Sequence, residues 1–449
     1  MEVVRYINLK DQPEVLYSDE KVFRRDFTTP SGPLFKPDWS PFLHLAVNYT
    51  THLSVYRRQL VQDVGGFRAG FEGSQDHDLM LRATAAATKP VVHVPFCLYQ
   101  WRRHEASTAG DLKAKPYAAD AGLKAVKEHC AKELRPAEVT VDRGTGHYRV
   151  RFELPNPIPK VSVVIPSKNA YPLIKRCLDS LFDKTTYDNF EVVVVDNGSN
   201  DPTCQDLYRS YQGKYGPRFS VLPKDIPFNF AALCNAGVER GTGTVVILLN
   251  NDTEVIDEGW MRELASLTTL DPVGAVGAKL LYPDGSVQHA GVTLMDRDIA
   301  HHSFKFLPGE AATYLNLLQT RHEVSGVTGA CLAVTKANYQ KVGGLDEIYL
   351  PNGFGDVDFC LKLRREGLVN LYTPDATLIH HESQSRGSNI EVFEKHVLIQ
   401  RWGDRLILDP YRNLNLQPHP NFVDDPAGHY PELSLKEFDS WLASYKWQV

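Results

Sequence analysis

The stretch Thr244-Val-Val-Ile-Leu-Leu-Asn-Asn-Asp-Thr-Glu-Val-Ile256 decides how the rest of the chain is read. Its apolar run, Val245 to Leu249, has the length and character of a strand buried on both faces. Asn250, Asn251, Asp252 and Thr253 follow where such a strand runs out into a loop. In open α/β sheets, side chains at that place meet the ligand. A carboxylate there can hold a hard divalent cation, and the cation can hold a diphosphate. The same residue types also cap helices and shape turns, so the tetrapeptide by itself leaves both readings open.

The sequence upstream has the same design. Val161 to Asn169, VSVVIPSKN, reads as a buried strand entering a loop, and Pro172 to Phe182 as a helix with apolar spacing at Leu173, Ile174, Cys177, Leu178 and Leu181. Glu191 to Asp201 is another buried strand with a polar end, and Ser220 to Gly243 gives a short strand, a loop and a helix. Strands alternating with helices predict an α/β fold whose mostly parallel sheet has its crevice along the strand carboxyl ends. No GxGxxG or GxxxxGK[ST] pattern is present, so dinucleotide and P-loop readings are weak. Downstream, the expectation is short strands at Val273 to Leu281, Ala330 to Thr335, Asn370 to Tyr372 and Thr377 to His380, and a helix at Val357 to Glu366.

Residues 1 to 135 begin with a helix over Met1 to Ile7 and a strand over Glu14 to Tyr17, with Ser18-Asp19-Glu20-Lys21 at the strand end. Ala118 to Leu134 reads as a surface helix. Glu138 to Asp142 and His147 to Leu154 flank Gly144-Thr145-Gly146 as a β-hairpin, and Pro155 to Pro159 reads as a linker. An internal repeat ties this region to the later one. VGGFRAGFEGSQDHDLMLR (Val64 to Arg82) and VGGLDEIYLPNGFGDVDFCLKLR (Val342 to Arg364) share Val-Gly-Gly, a glycine-bearing loop and an Asp-x-Asp that opens a helix. Each is followed by a proline-marked strand and a serine-bearing loop, Ser107-Thr108-Ala109 and Ser385-Arg386-Gly387. Only the second copy is preceded by a nucleotide-type half.

Composition narrows the class. A chain of 449 residues, 43% hydrophobic and 23% charged, is ordinary for folded domains, and a net charge of −6 argues against a general nucleic-acid binder. Seven scattered cysteines with no CxxC pair indicate neither a disulfide framework nor a zinc site. No apolar run long enough for a membrane span occurs, and the first residues lack a signal-peptide pattern, so the expected location is cytoplasmic.

The candidate chemistry collects at one edge of the expected sheet. Asp356 and Asp358 open a helix, where the macrodipole favours carboxylates; one reading is capping, the other a base that takes a proton from an attacking hydroxyl. His380 and His381 end a strand just before Glu382, Ser383 and Ser385, and imidazole is a good ligand for divalent metals, though strand-end histidines are also plain structure. Asp196, after four valines, either bonds a ligand or terminates its strand.

Taken in order, VSVVIPSKN, VVVVDNGSND, PFNFAALCNAG, LLNNDTEVIDEGW, VGAVGAKLLYPDGSVQHAGV, TGACLAV, VGGLDE, DVDFCLKLR and TPDATLIHHESQSRG resemble a family 2 glycosyltransferase over residues 160 to about 415. The variety it looks most like is the bacterial tandem type linked to O-antigen and other surface polysaccharides, including rhamnosyltransferases. The resemblance implies a GT-A fold and inverting transfer from a nucleotide-sugar donor, dTDP- or UDP-linked, to a saccharide or lipid-linked saccharide acceptor. It implies that Asp196 bonds the base and that Pro166, Lys168, Asn229 and Asn235 line the nucleotide pocket. Asp252 would be the surviving carboxylate of the DxD metal motif, whose first position is Asn250, with Asn251 between them at the donor. His380 would be the further ligand of Mg2+ or Mn2+, and Asp356 the general base. Gly355 stands where many members have a glutamate. Since lipid-linked acceptors are common in such pathways, the resemblance adds peripheral association at the inner membrane face as an expectation.

The organisation expected is thus a partial, inactive glycosyltransferase-like module at 1–135, hairpin and linker at 136–159, a complete GT-A domain at 160–415 and a tail at 416–449. In the first module Asp19-Glu20-Lys21 would take the place of the DxD and Gln100 that of the histidine, while Asp76 is kept as a candidate base. Either the module is a degenerate docking unit or Met1 is internal to a longer two-enzyme protein. A non-catalytic nucleotide-sugar-binding or scaffolding protein is the alternative that Asn250 and Gly355 keep open. A nucleotidyltransferase is weaker, for want of a glycine-rich basic loop near Val161 to Asn169.

Overall fold

Runs of buried apolar residues build the centre of the molecule. A computed structural model describes residues 1–23, 30–102, 116–295, 299–381, 392–416 and 422. In chain order, β1 (Val15–Phe23), β2 (Pro30–Leu34), β3 (Ser54–Tyr56) and β4 (Val92–Arg102) form one sheet, and β5 (Ala137–Val141) and β6 (Tyr148–Phe152) form an antiparallel hairpin. Next come β7 (Val161–Ser167), β8 (Phe190–Asp196), β9 (Phe219–Pro223), β10 (Val245–Leu249), β11 (Thr253–Val255), β12 (Val273–Leu281), β13 (Val287–His289), β14 (Val292–Met295), β15 (Ile299–His302), β16 (His322–Val324), β17 (Cys331–Thr335) and β18 (Val369–His380). The main sheet runs β11-β18-β12-β17-β10-β7-β8-β9, with β13 on β12 and β16 on β18, while β14 and β15 pair with each other.

β7, β8 and β10 are buried at every position, as continuous apolar runs require when helices cover both faces of a sheet. β10, β7, β8 and β9 are mutually parallel, which sets the ends of the first three side by side. β17 runs antiparallel to both β10 and β12, and β18 parallel to β12. The α/β architecture expected is the one found.

Two expected strands, Asn370 to Tyr372 and Thr377 to His380, are a single strand in the structure. Pro374 has no N–H to give the ladder, and the pairing steps over it: Ala278 faces Thr373, and Lys279 faces Thr377. The N-terminal strand also runs further than Tyr17, so Ser18 to Lys21 lie inside β1 and not at its end. Asp19 is fully buried there because partners distant in sequence receive it: His93 Nε2 at 2.8 Å, the Lys36 N–H at 2.9 Å and Asn413 Nδ2 at 2.9 Å.

The repeat has a topological side. β1 pairs antiparallel with β3 and parallel with β4, as β12 does with β17 and β18. Leu16 faces Val55 and Val92; Val276 faces Ala333 and Leu371. Counting on from this register, Asp19 falls opposite Lys279 in the later copy. Asp19-Glu20-Lys21 is therefore not the counterpart of Asn250-Asn251-Asp252, a correction that sequence spacing alone did not reveal.

Residues 1–159 share a core with the later domain. Phe42, Leu45, Phe71 and Leu81 belong to one buried cluster with Val150, Phe152, Val161 and Ile165. The buried Glu323 carboxylate on β16 caps helix Pro41–Ala46 from across this joint, accepting from the Phe42 N–H at 2.8 Å, the Leu43 N–H at 3.4 Å and Ser40 Oγ. Arg321 donates to Val150 O at 2.8 Å on the hairpin and to Glu263 at 2.5 Å. The segment at 155–159 therefore joins packed parts. Most of the tail at 416–449 and both serine-bearing loops of the repeat lie outside the described residues.

Candidate active site

The end of β10 and the start of helix Gly355–Arg365 are joined through adjacent residues. The Asn250 N–H donates to Ala330 O at 3.0 Å, beside the head of β17. The neighbouring Gly329 N–H donates to Asp356 Oδ2 at 2.9 Å, and Asp356 Oδ1 accepts from the Val357 N–H at 2.9 Å. A cavity of about 390 Å³ opens here, lined by Asn250, Asp356, Thr328, Phe230, Asn352 and Lys305 among others. Burial pushes the Asp356 carboxyl above its ordinary range, and the Gly329 and Val357 N–H groups oppose it. The balance leaves the carboxylate at the cavity wall with a stronger pull on a proton than a solvated aspartate has.

Asp358, two residues further on, has another job. It is fully buried and receives Arg401 Nη1 and Trp402 Nε1, both at 2.9 Å. Of the two helix-opening carboxylates only Asp356 lines the cavity.

The short edge strand β11 brings Asp252 to His380. Thr253 faces His380 across the β11–β18 ladder, the His381 N–H donates to Asp252 O at 2.9 Å, and His380 Nε2 lies 3.1 Å from Asp252 Oδ1. Asn250 Nδ2 is 3.3 Å from the same nitrogen, and His380 Nδ1 is buried with no partner. Carboxylate, imidazole and an amide whose oxygen and nitrogen are interchangeable by a flip form a donor set that fits a divalent cation, which would replace the proton shared by Asp252 and His380. Among the described residues no group of three His, Cys, Asp or Glu side chains gathers at one point. Glu382, Ser383 and Ser385 lie outside them.

The remaining candidates divide. Asp196 is buried at the end of β8 and accepts from the Ser199 N–H at 3.2 Å and from Ser199 Oγ. Asn251 Nδ2 donates to Ser167 Oγ at 3.1 Å, linking the ends of β10 and β7; Pro166 is buried within β7, and Lys168 is exposed just beyond it. These stand together at the strand ends. Asn229 and Asn235 do not join them. Asn229 caps helix Phe230–Arg240 through Ala232 N at 2.8 Å and donates to Glu347 O at 2.8 Å. Asn235 donates to Leu345 O at 2.9 Å and accepts from Leu345 N at 3.1 Å and Tyr339 Oη at 2.6 Å. Both bond the backbone at 345–347.

Sequence reading missed Ser167, Ser199, Thr328, Lys305, His301 and His302, the last four of which line the cavity. The adjacent histidines in Ile299-Ala-His-His302 were the available signal.

Comparison with known proteins gives the family. Residues 162–340 match the model of the family described as glycosyl transferase family 2. The chain is 38% identical over 449 residues to the uncharacterized protein y4gI of Sinorhizobium fredii, covering 100% of this chain and 48% of that one. It is 39% identical over 378 residues to the O-antigen biosynthesis protein RfbC of Myxococcus xanthus, covering 84% of this chain and 29% of that one. It is 26% identical over 243 residues to N-acetylglucosaminyl-diphospho-decaprenol L-rhamnosyltransferase of Mycobacterium tuberculosis, covering 50% of this chain and 77% of that one. The chain thus spans about half the length, or less, of the S. fredii and M. xanthus relatives. Residues 162–340, with Asn250 and Asp252 just beyond the end of β10, are a glycosyltransferase domain of family 2, and Asp356 at a helix start and His380 at the end of β18 stand beside them.

Proposed function

We propose that residues 160–415 transfer a sugar, with inversion, from a nucleotide-sugar donor to a saccharide hydroxyl, and that the product belongs to a bacterial surface polysaccharide of the O-antigen kind. The observation that carries the reading is Asp356: a carboxylate with raised proton affinity, fixed by two backbone N–H groups in the wall of a cavity that Asn250 also lines. In this mechanism Asp356 accepts the proton of the attacking hydroxyl as its oxygen approaches the anomeric carbon from the face opposite the diphosphate. The diphosphate leaves with the bonding electron pair. Ser167, Lys168, Asp196 and Asn251 hold the nucleotide along the ends of β7, β8 and β10. Asp252 and His380 would hold a divalent cation, Mg2+ or Mn2+, which when bound offsets charge on the leaving diphosphate.

The names of the M. xanthus and M. tuberculosis relatives support the polysaccharide setting and a rhamnose-like sugar, and the donor proposed is its dTDP- or UDP-linked form. The acceptor in this reading is a lipid-linked saccharide met at the inner membrane face; no helix among the described residues is long and apolar enough to cross a membrane. The partial first module is read as a docking unit without its own catalysis. A second reading, a nucleotide-sugar-binding scaffold, is favoured by the single carboxylate, Asp252, that the described residues bring to His380.

The test is nucleotide release from UDP-, dTDP- and GDP-sugars with Mg2+, Mn2+ or EDTA. Metal-dependent release of one nucleotide, reduced about 100-fold or more in Asp252→Ala, is expected. Donor binding with no release in the presence of saccharide acceptors would favour the scaffold.

A further inference from the structure

A second pair of histidines lies behind the cavity that holds Asp356. His302 ends β15 and lines the cavity; His289 ends β13, is fully buried, and does not line it. Their Nδ1 atoms are 2.7 Å apart. On its other side His289 Nε2 accepts from the Gly291 N–H at 3.3 Å and from the Thr328 N–H at 3.4 Å. Amide N–H groups only donate, so Nε2 of His289 is the unprotonated nitrogen and Nδ1 carries the hydrogen. That hydrogen points at His302 Nδ1, which must accept it. The proton of neutral His302 is thereby placed on Nε2, and an imidazolium at His302 would set two N–H groups face to face.

The surrounding glycines make this arrangement possible. A Cβ at Gly277 would come within 2.6 Å of Val327 and 3.4 Å of His289 Nε2. Gly291 has φ of +93°, and a Cβ there would meet Val324 at 2.6 Å. Burial, with repulsion from His302 and His380, holds the His289 pKa well below its ordinary value, which keeps that ring neutral as well.

We propose that His302 is a specificity residue of the acceptor subsite, donating a hydrogen bond from Nε2 to a hydroxyl of the saccharide that Asp356 deprotonates at another hydroxyl, and that His289 is its positioning residue. The inference rests on the transfer reading above. A neutral donor suits a neutral hydroxyl; a diphosphate would call for a cation. The donors from Gly291 and Thr328 fix the tautomer through a buried intermediary, so the polarity of the cavity wall is set from its rear.

The experiment is long-range 1H–15N NMR on the full chain labelled with 15N-histidine, with the two rings assigned by loss of signal in His302→Gln and His289→Gln. His289 is expected as the Nδ1–H tautomer and His302 as the Nε2–H tautomer from mildly acidic to mildly alkaline pH. An imidazolium or an Nδ1–H tautomer at His302 would overturn the proposal. Titration with methyl glycosides of hexoses and deoxyhexoses should move the His302 Nε2 signal, and UDP or dTDP alone should not. Movement with nucleotide only, or with none of these probes, would remove His302 from the acceptor subsite. In transfer assays with the same glycosides, His302→Ala should raise the acceptor KM about tenfold, equivalent to about 1.4 kcal/mol, with donor KM unchanged. His302→Gln, which keeps an N–H near Nε2, should restore most of it, whereas a packing role would leave donor and acceptor KM equally affected. The tautomers are read without catalysis, so failure of the transfer reading would show in the nucleotide-release assay and leave this result separate.

Discussion

Two helices in this chain open with the same Asp-x-Asp pattern and differ in what stands before them. In helix Gln75–Ala86, Asp78 is buried and receives Arg68 and Arg82; in helix Gly355–Arg365, Asp358 is buried and receives Arg401 and Trp402. The second carboxylate of each pattern is therefore a fixture of the fold. The first ones begin alike, since Asp76 accepts from the His77 N–H at 2.9 Å as Asp356 does from Val357. Among the described residues Asp356 gains a second anchor, Gly329, and lines a cavity, and no second anchor is found for Asp76. Before helix Gln75–Ala86 the space is taken by helix Pro116–His129: Ser74 Oγ donates to Ala118 O at 2.7 Å, and a Cβ on Gly73 would meet Ala118 at 2.7 Å. On the proposed reading, the motif would carry chemistry where a strand end such as that of β10 supplies the rest of the site.

Three experiments bear on that contrast, and the largest effect is expected at the joint between the N-terminal region and the later domain. Glu323→Ala leaves the Ser40, Phe42 and Leu43 donors buried without their acceptor, and should lower the unfolding free energy by about 3 kcal/mol in urea titrations. An unchanged midpoint would mean that the N-terminal region is not held by this cap. A smaller effect belongs to helix Gly355–Arg365. Because burial raises the pKa of Asp356 and the base acts when deprotonated, kcat/KM should fall as pH drops through that raised value, above the ordinary aspartate pKa of about 4. The fall should approach about tenfold per pH unit, and Asp356→Glu should move the limb. A flat acid limb would take the proton-accepting role away from Asp356. The smallest effect is at Asn235, where Ala should cost about 1 kcal/mol of stability and leave donor affinity intact. A large loss of donor affinity with full stability would return Asn235 to the nucleotide pocket.

The parts of the fold legible in the sequence are those with local causes. β7, β8 and β10 are unbroken apolar runs bounded by polar residues, and Val273–Leu281 is readable to its true limits for the same reason. The site is legible where a strand end names its own chemistry, as at Asn250 to Asp252. It is not legible where burial depends on distant partners. Asp19 reads as a strand end because a carboxylate is costly inside a strand, and only His93, Lys36 and Asn413 make it tolerable. The family pattern puts Asn229 and Asn235 at the nucleotide, yet their amides are taken up by the backbone at 345–347. His302 enters the cavity through the β14–β15 pairing, which no local pattern announces.

The most direct test of the central claim is a paired substitution, Asp356→Asn and Asp76→Asn, each assayed for donor affinity and for transfer at saturating donor. The account predicts that Asp356→Asn slows transfer by about 100-fold or more with donor affinity kept, and that Asp76→Asn changes neither. Undiminished transfer by Asp356→Asn, or loss of transfer in Asp76→Asn with the fold intact, would contradict it.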